Sequence, residues 1–265
     1  MVKYFREVIE MPRYSREKSE TGIYHIMVRG VDRMSIFREE EDYHRYLETL
    51  LRFKKTDNYE MYAYCLMSNH VHLLIKEVGD TIHRFMKRLG VSYVSYFNKK
   101  YNRVGHLFQD RYKSESIQSE QYLLCCSRYI HNNPIVAGLV KHPEDYIWSS
   151  FSSYLDGDNH PLLNPDFILH HFSQDRVEAI LRLKEFTKSS NQDKFLDDDR
   201  IDQVNCQKVI NEILERHDIS PEDLRKTKDI GKRNAILQEI KTTSHVSIRG
   251  ISRVLGISKD IIFRA

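Results

Sequence analysis

Cysteine is scarce in this chain of 265 residues. The four cysteines are Cys65, Cys125, Cys126 and Cys206, and no two of them form a C-x-x-C pair. A small disulfide-held fold and a zinc site built on cysteines are therefore both disfavoured. The pattern instead indicates a reducing compartment, so we expect a cytoplasmic protein.

Long hydrophobic runs are also missing. No apolar stretch reaches the roughly 18 residues that a membrane helix needs, so we expect no membrane partner. The N-terminal stretch MVKYFREVIE carries charges where a secretory signal has an apolar segment, so secretion is not expected. Hydrophobic residues make up 40% of the chain, which is enough to build the cores of two modest domains.

Tyrosine is absent from the last 111 residues. All 16 tyrosines lie between Tyr4 and Tyr154, and turn-forming residues follow directly after them. Such a change in composition indicates two units of different character. We therefore predict three segments: a first domain over 1–155, an acidic connector over 156–199 and a helical domain over 200–265.

The charges follow the same division. The net charge is +3, but the three segments carry about +4, −5 and +4 in chain order. Two basic blocks separated by an acidic segment suggest two surfaces that could meet phosphate groups. Ordinary solvated surfaces would give the same totals, so the charge leaves both interpretations open.

Hydrophobic periodicity predicts an α+β first domain with an antiparallel-rich sheet and packed helices. The expected order is β-α-β-β-α-β-α. Its members are a strand over 23–29, a helix over 39–56, a hairpin of EMYAYCL and HVHLLIKE around a tight turn, a helix over 80–101, a strand pair or bent strand over 106–117, and a helix over 119–132. The last helix is expected to stop at Pro134, because proline cannot continue it.

Two histidines stand two residues apart on the second hairpin strand. Side chains alternate along a strand, so His70 and His72 share one face while Val71 and Leu73 point the other way. Two neighbouring imidazoles are a natural start for a divalent metal site. The pair alone is weak evidence in a chain with 13 histidines.

The predicted helix over 119–132 adds a tyrosine and an amide. Tyr129 and Asn133 are four residues apart and share one helical face, with Tyr122 one heptad earlier. A tyrosine hydroxyl can attack a phosphodiester, and an Asn carbonyl oxygen suits Mg²⁺ or Mn²⁺ beside two histidines. A core aromatic and a helix cap are equally common roles for these residue types.

Basic and aromatic residues alternate along the predicted helix over 80–103. No acid occurs from 81 to 109, and tyrosines and a phenylalanine lie between the bases. This composition suits single-stranded or hairpin DNA, whose bases stack on aromatic rings. The candidate phosphate contacts are Arg84, Lys87, Arg88, Lys99, Lys100 and Arg103. An amphipathic core helix with a solvated basic face is the alternative.

The C-terminal segment is expected to be all helical and to contain a helix-turn-helix. Ser247 and Ser258 can cap two helices, and Gly256 can form the turn between them. The candidate contacts with duplex DNA are Arg249, Arg253 and Lys259. A small helical bundle that binds protein is the alternative.

Five strings occur in an order that resembles a known family. They are YHIMVRGVDRMSIF (24–37), AYCLMSNHVHLLI (63–75), GHLFQDRYKS (105–114), RYIHNNPIVAGLV (128–140) and DYIWSSFSSYL (145–155). Together they look like the single-tyrosine HUH transposases, and within them the REP-associated tyrosine transposases. The resemblance covers about residues 12–155. It implies a ferredoxin-like or RRM-like catalytic domain.

The resemblance also implies roles for particular residues. His70, His72 and Asn133 would bind a divalent metal, Mg²⁺ or Mn²⁺, and Tyr129 would attack single-stranded or hairpin DNA to form a 5′-phosphotyrosine. His25, His131 or water would accept the tyrosyl proton. A DNA-binding regulator that has lost catalysis, and a replication initiator with the same chemistry, remain open. We expect a monomer or a dimer.

Overall fold

The structure divides the chain into two compact units, Met1–Leu196 and Asp197–Ala265. It is a computed structural model, and it describes residues 18–78, 82–156, 160–189, 195, 199–227, 229–243 and 248–265. Within these ranges, no helix is both long and apolar enough to cross a membrane.

The first unit is built on a four-stranded antiparallel sheet. Its strands and helices, in chain order, are β1 (Ile23–Arg29), α1 (Glu40–Asp57), β2 (Tyr59–Met67), β3 (His70–Glu77), α2 (Ile82–Lys100), β4 (Lys113–Ser116), α3 (Glu120–Val136), α4 (Phe151–Leu155), α5 (Pro165–Leu169) and α6 (Arg176–Lys188). Short 3-10 helices lie at Val31–Arg33 and Pro143–Asp145. The strand order is β2-β3-β1-β4, with every neighbouring pair antiparallel. The predicted fold class is confirmed.

The helices α1 and α2 cover one face of the sheet. Alternate residues of the central strands, such as Ile26, Val71 and Leu73, join the buried faces of both helices in one core. The start of α1 is fixed by a capping box between Glu39 and Asp42, which satisfies backbone N–H groups that a helix start leaves unpaired. These packed side chains account for the periodicity read from the sequence.

Gly30 ends β1 at a point where no other residue fits. A Cβ atom built on Gly30 would lie 2.2 Å from the Met34 carbonyl oxygen. Because this neighbour is backbone, it cannot move aside as a flexible side chain would. The chain therefore turns tightly after β1, and the Gly30 N–H donates to the Asn69 carbonyl at 2.8 Å.

The helix α3 packs on the opposite face, against β2 and β3. It continues through Pro134 to Val136, whereas the sequence predicted that it would stop at the proline. Proline near a helix end removes one N–H donor without ending the helix. Gly138, with φ +70°, ends it: the Gly138 N–H donates to the Ile135 carbonyl, and the Leu139 N–H to the Pro134 carbonyl.

The acidic segment over 156–199 is not a separate connector in the structure. Its described part forms α5 and α6, which lie within the first unit. Ile168, Leu169 and Leu183 are buried in the same core as α3. The acidic residues dominate the composition of this segment, but one set of its apolar side chains, which includes Ile168, Leu169 and Leu183, faces the core. The sequence had also predicted a strand pair or a bent strand over 106–117, where the structure has the single short strand β4.

The second unit is all helical, as predicted. It contains α7 (Asp199–Arg216), α8 (Pro221–Lys226), α9 (Ile230–Thr243), α10 (Ile248–Leu255) and α11 (Lys259–Arg264). Isoleucines and leucines from all five helices form its core, among them Ile213, Leu224, Leu237, Ile251 and Ile262. The short helix α8 was not predicted; it begins with Ser220, whose side chain accepts from the Asp223 N–H.

Candidate active site

The two histidines lie on the sheet face that α3 covers. In the β1–β3 register, His70 is opposite Arg29 and His72 is opposite Met27, while Val71 pairs with Val28 on the other face. His72 is fully buried and His70 is half-buried. Their ring centroids are 5.0 Å apart, with the rings nearly perpendicular. The strand thus presents both imidazoles on one side of the sheet.

Each imidazole has its Nδ1 atom engaged by a side chain. His70 Nδ1 is 2.6 Å from Asn69 Oδ1, and His72 Nδ1 is 3.0 Å from His25 Nε2. In each ring, the Nε2 atom is therefore the nitrogen that a metal would use. Metal-bound histidines commonly hold their second nitrogen in a hydrogen bond of this kind.

The helix α3 brings Tyr129 to these histidines. Ser119 caps the start of the helix by accepting from the Tyr122 N–H, while Leu123, Cys126 and Ile130 face the sheet core. The half-buried Tyr129 ring lies 5.7 Å from the His72 ring, edge to face. A strand and a helix more than 50 residues apart in sequence thus place a hydroxyl-bearing ring beside the histidine pair.

Asn133 lies one helical turn after Tyr129. Its side-chain Nδ2 donates to the Tyr129 carbonyl oxygen at 3.1 Å, which leaves the amide oxygen as the atom that a cation would need. Among the residues that the structure describes, no three His, Cys, Asp or Glu side chains form a group that could hold a metal. A metal here would therefore depend on two imidazoles and the Asn133 amide oxygen, a donor set that suits Mg²⁺ or Mn²⁺.

Of the two histidines considered as proton acceptors, only His25 lies near Tyr129. The His25 ring is 6.0 Å from the Tyr129 ring. His131 is fully buried on the core side of α3, where its Nε2 contacts the Ser150 hydroxyl at 2.8 Å. Burial lowers the pKa of His131 to about 3, so its ring is neutral at pH 7.

Tyr122, the other tyrosine on this side of α3, contacts Glu115 of β4. Its hydroxyl donates a short hydrogen bond to Glu115 Oε1. Burial alone would raise the pKa of Glu115, but the contacts with His25 and Tyr122 outweigh it and lower the pKa. Glu115 is therefore a carboxylate at neutral pH, and the Tyr122 hydroxyl is committed to a hydrogen bond with it.

Phe195 also belongs to this site, although no sequence pattern indicated it. The residue is 5% exposed. Its ring lies 4.5 Å from the Tyr129 ring, 5.3 Å from the Tyr122 ring and 5.8 Å from the His25 ring. The only signal in the sequence was a lone aromatic residue within a polar run.

The basic residues of α2 lie on the opposite face of the sheet from the histidine pair. Arg84, Lys87 and Lys99 are exposed there, and Arg88 and Arg103 are half-buried. The Arg88 guanidinium lies 4.4 Å from the Phe53 ring centroid, and that of Arg103 lies 5.8 Å from the Phe97 ring centroid. The helix therefore presents cations at a distance from the site rather than beside it.

Lys100 differs from the other bases of α2. Its Nζ lies 3.1 Å from Glu39, 2.8 Å from Glu41 and 3.0 Å from the buried Asp42. Burial acts to lower the pKa of Lys100, but these acidic neighbours raise it overall. Because three carboxylates already match its charge, the structure argues against the phosphate contact predicted for Lys100.

The predicted helix-turn-helix falls on α10 and α11, which a three-residue turn joins. Gly256 has φ +65°, as a turn glycine should, and Lys259 is exposed at the start of α11. The side chains of Arg249 and Arg253, and the whole of Ser247, lie outside the described residues. A role for this pair of helices in DNA binding stays a prediction.

The fold and the site together define a class: an antiparallel α+β domain with a strand histidine pair facing a helical tyrosine. Residues 18–133 match the family model described as "Transposase IS200 like". This match confirms, over 18–133, the resemblance to the single-tyrosine transposases that was read from the five sequence motifs.

Two further comparisons were made, one with solved structures and one with curated protein sequences. A solved structure of a REP-associated tyrosine transposase bound to a REP hairpin is similar over 58% of this chain and 92% of its own, with 18% sequence identity and a TM-score of 0.48. No curated protein sequence matches the chain.

Proposed function

We propose that this transposase cuts and rejoins single-stranded DNA with Tyr129 as the nucleophile. The observation that carries the proposal is the position of Tyr129, whose ring lies 5.7 Å from His72 on the face where both histidines stand. A structural aromatic would have no need of two imidazoles beside its ring. The match of residues 18–133 to the model described as "Transposase IS200 like" supports the same chemistry.

The reaction exchanges one phosphodiester for another. The Tyr129 hydroxyl oxygen attacks phosphorus, a bond from phosphorus to the tyrosine oxygen forms, and the bond to the 3′ oxygen breaks. The tyrosyl proton is passed on, and the departing 3′ oxygen takes up a proton to become a hydroxyl. A second 3′-hydroxyl then reverses these steps. The phosphotyrosine linkage is itself a phosphodiester and keeps the energy of the broken bond, so the cycle needs no nucleoside triphosphate.

His70, His72 and the Asn133 amide oxygen are the residues that would hold a divalent cation. A bound Mg²⁺ or Mn²⁺ would polarise the scissile phosphate. The protein contributes the orientation of both rings, through Asn69 for His70 and through His25 for His72. The helix α3 also places Tyr129 and Asn133 one turn apart, so that both side chains lie on the same face of the helix.

The substrate that we propose is a DNA hairpin with single-stranded flanks. The exposed lysine and arginine side chains of α2 would bind DNA phosphates on one face of the sheet. Tyr129 would cut the DNA on the other face of the sheet. The C-terminal unit would contact duplex DNA through α10 and α11.

A DNA-binding regulator without catalysis is the second candidate. The observation in its favour is the Phe195 ring, which lies 4.5 Å from the Tyr129 ring. A protein that only binds DNA would tolerate an aromatic ring packed against Tyr129, whereas an enzyme has to admit a phosphate beside it.

The experiment that separates the two candidates uses labelled hairpins from the DNA flanking the gene. Each is incubated with protein and Mn²⁺, and covalent adducts are resolved on a denaturing gel. We expect an adduct with the wild-type protein and none with Tyr129→Phe, while both proteins bind the DNA. Tyr122→Phe is the comparison variant, because it removes a hydroxyl from the same helix. It should still form the adduct, but more slowly, because the Tyr122 hydroxyl contacts Glu115 behind the histidine pair.

The other outcomes are equally informative. Loss of the adduct in Tyr122→Phe with retention in Tyr129→Phe would assign the nucleophile to Tyr122. DNA binding with no adduct from any protein would favour the regulator.

A further inference from the structure

Two side chains stand behind His72 on the face of the sheet that α3 covers. The β1–β4 register places His25 directly opposite Glu115, and His25 is fully buried. Glu115 Oε2 lies 3.7 Å from His25 Nδ1, and His25 Nε2 lies 3.0 Å from His72 Nδ1. A chain of three side chains therefore runs from the edge strand β4 through β1 to β3.

We infer that Glu115 and His25 are positioning residues that determine which ring nitrogen His72 presents to a divalent metal. The inference rests on the metal site of the proposed function. A hydrogen bond between two neutral imidazoles needs one donor and one acceptor. If His25 donates, the proton of His72 resides on Nε2 and blocks a metal there. If His72 donates from Nδ1, its Nε2 keeps a lone pair for the metal.

With both rings neutral, the charge of Glu115 selects the second arrangement. A separation of 3.7 Å is too long for a hydrogen bond, but a carboxylate at that distance favours a proton on His25 Nδ1. His25 Nε2 is then an acceptor, and His72 Nδ1–H donates to it. Metal-bound histidines are commonly oriented by a carboxylate. Here a second imidazole stands between the carboxylate and the ligand.

Tyr122 holds the carboxylate in place for this role. Its hydroxyl donates to Oε1 of Glu115, while Oε2 is the atom nearest His25. His70 is held in a simpler way, since the neighbouring Asn69 oxygen faces its Nδ1 directly. The two imidazoles of the pair therefore have different neighbours at Nδ1, and a change at His25 should affect His72 more directly than His70.

The test begins with the metal-free full-length chain labelled with ¹⁵N-histidine. Nitrogen chemical shifts report which ring nitrogen carries the proton, and a His72→Gln spectrum identifies the signals of His72. We expect the wild-type proton on Nδ1. His25→Leu removes the acceptor, so the His72 proton should distribute between both nitrogens. His25→Gln offers an amide oxygen in its place and should restore the wild-type form.

Calorimetric titration with Mn²⁺ alone provides the second readout. Loss of a residue that orients a metal ligand typically costs about 10- to 100-fold in affinity, which is the expected effect of His25→Leu. His25→Gln should recover most of that loss. His131→Leu is the matched control, because it removes an equally buried imidazole that contacts Ser150 instead, and its Mn²⁺ affinity should be unchanged.

Two results would overturn the inference: a wild-type His72 proton on Nε2, or an unchanged Mn²⁺ affinity in His25→Leu. Failure of the proposed metal site looks different, because the wild-type protein would then bind no Mn²⁺ while the proton of His72 still resided on Nδ1.

Discussion

The ring of Phe195 lies 4.5 Å from the ring of Tyr129, closer to it than the ring of either His25 or His72. The proposed nucleophile is half-buried, and the rings of Phe195, His72 and His25 all lie within 6.0 Å of its ring. Because Phe195 is the nearest of these rings, we expect it to affect how easily a phosphate reaches the Tyr129 hydroxyl.

Phe195→Ala is expected to accelerate the formation of the covalent adduct. Aromatic pairs are worth about 0.5–1.5 kcal/mol beyond the area they bury, so removing the contact should raise the single-turnover rate by about two- to tenfold. Phe195→Leu retains an apolar side chain without the ring, so its single-turnover rate should lie between those of the wild type and Phe195→Ala. A lower rate in Phe195→Ala would show instead that the ring orients Tyr129.

Lys99 and Lys100 are adjacent, but their substitution should affect different properties: DNA binding for Lys99 and protein stability for Lys100. Lys99→Met removes an exposed cation, so the salt dependence of DNA binding should fall by about 0.7–0.9 on a log–log plot. Lys100→Met leaves the buried Asp42 without its ion pair and should lower the free energy of unfolding by about 2 kcal/mol. Salt titrations and urea unfolding of both variants test the pair, and equal effects on DNA binding would contradict it.

Leu183→Ala tests whether α6 is an integral part of the first unit. Leu183 is 2% exposed, so its truncation should destabilise the unit by about 2–5 kcal/mol. Leu181→Ala is the matched control, since that side chain is 63% exposed on the same helix. Trp148, the only tryptophan, lies in the first unit, so its fluorescence follows the unfolding of that unit. Equal stabilities of the two variants would restore the idea of a connector.

The buried His131 should make the stability of the first unit depend on pH. The unfolded chain takes up a proton near pH 6.5, but the folded protein does so only near pH 3, so the folded state loses stability as pH falls between these values. His131→Gln should reduce this slope by up to about 1.4 kcal/mol per pH unit. Trp148 fluorescence in urea at several pH values gives the difference. Parallel curves for the two proteins would mean that His131 is protonated in the folded state.

Removal of 197–265 should separate cleavage from affinity. The remaining residues contain every proposed catalytic group, and also Phe195, so cleavage of a short hairpin at saturating protein should change little. Affinity for long DNA and its salt dependence should both fall, because the phosphate contacts proposed for the second unit are lost. An unchanged salt dependence would assign α10 and α11 to protein contacts.

The sequence predicted the first sheet well because its signals are local. The strand β1 was predicted with the bounds that it has, and the hairpin and both helices of the opposite face agree within about two residues. In each case, apolar residues recur with the period of the element. The His70 and His72 pair followed from the same alternation.

Other features could not be read from the sequence, because they depend on distant residues. Glu115 meets His25 only through the β1–β4 register, which joins positions 90 residues apart. Phe195 reaches Tyr129 from a polar run with no periodicity. The acidic composition of 156–199 concealed Leu183 and its buried neighbours, and Pro134 was read as a stop although the capping bonds of α3 form after it.

The two-residue turn between β2 and β3 has a genetic consequence. Met67 pairs with His70 across Ser68 and Asn69, and this register turns both imidazoles toward α3. Side chains alternate along a strand, so an inserted or deleted residue that shifted β3 by one position would exchange its two faces. Val71 and Leu73 would then face α3, and the two imidazoles would point into the aromatic core. Insertions and deletions at this turn should therefore be far less tolerated than substitutions of Ser68, since loop length alone determines which face of the sheet carries the chemistry.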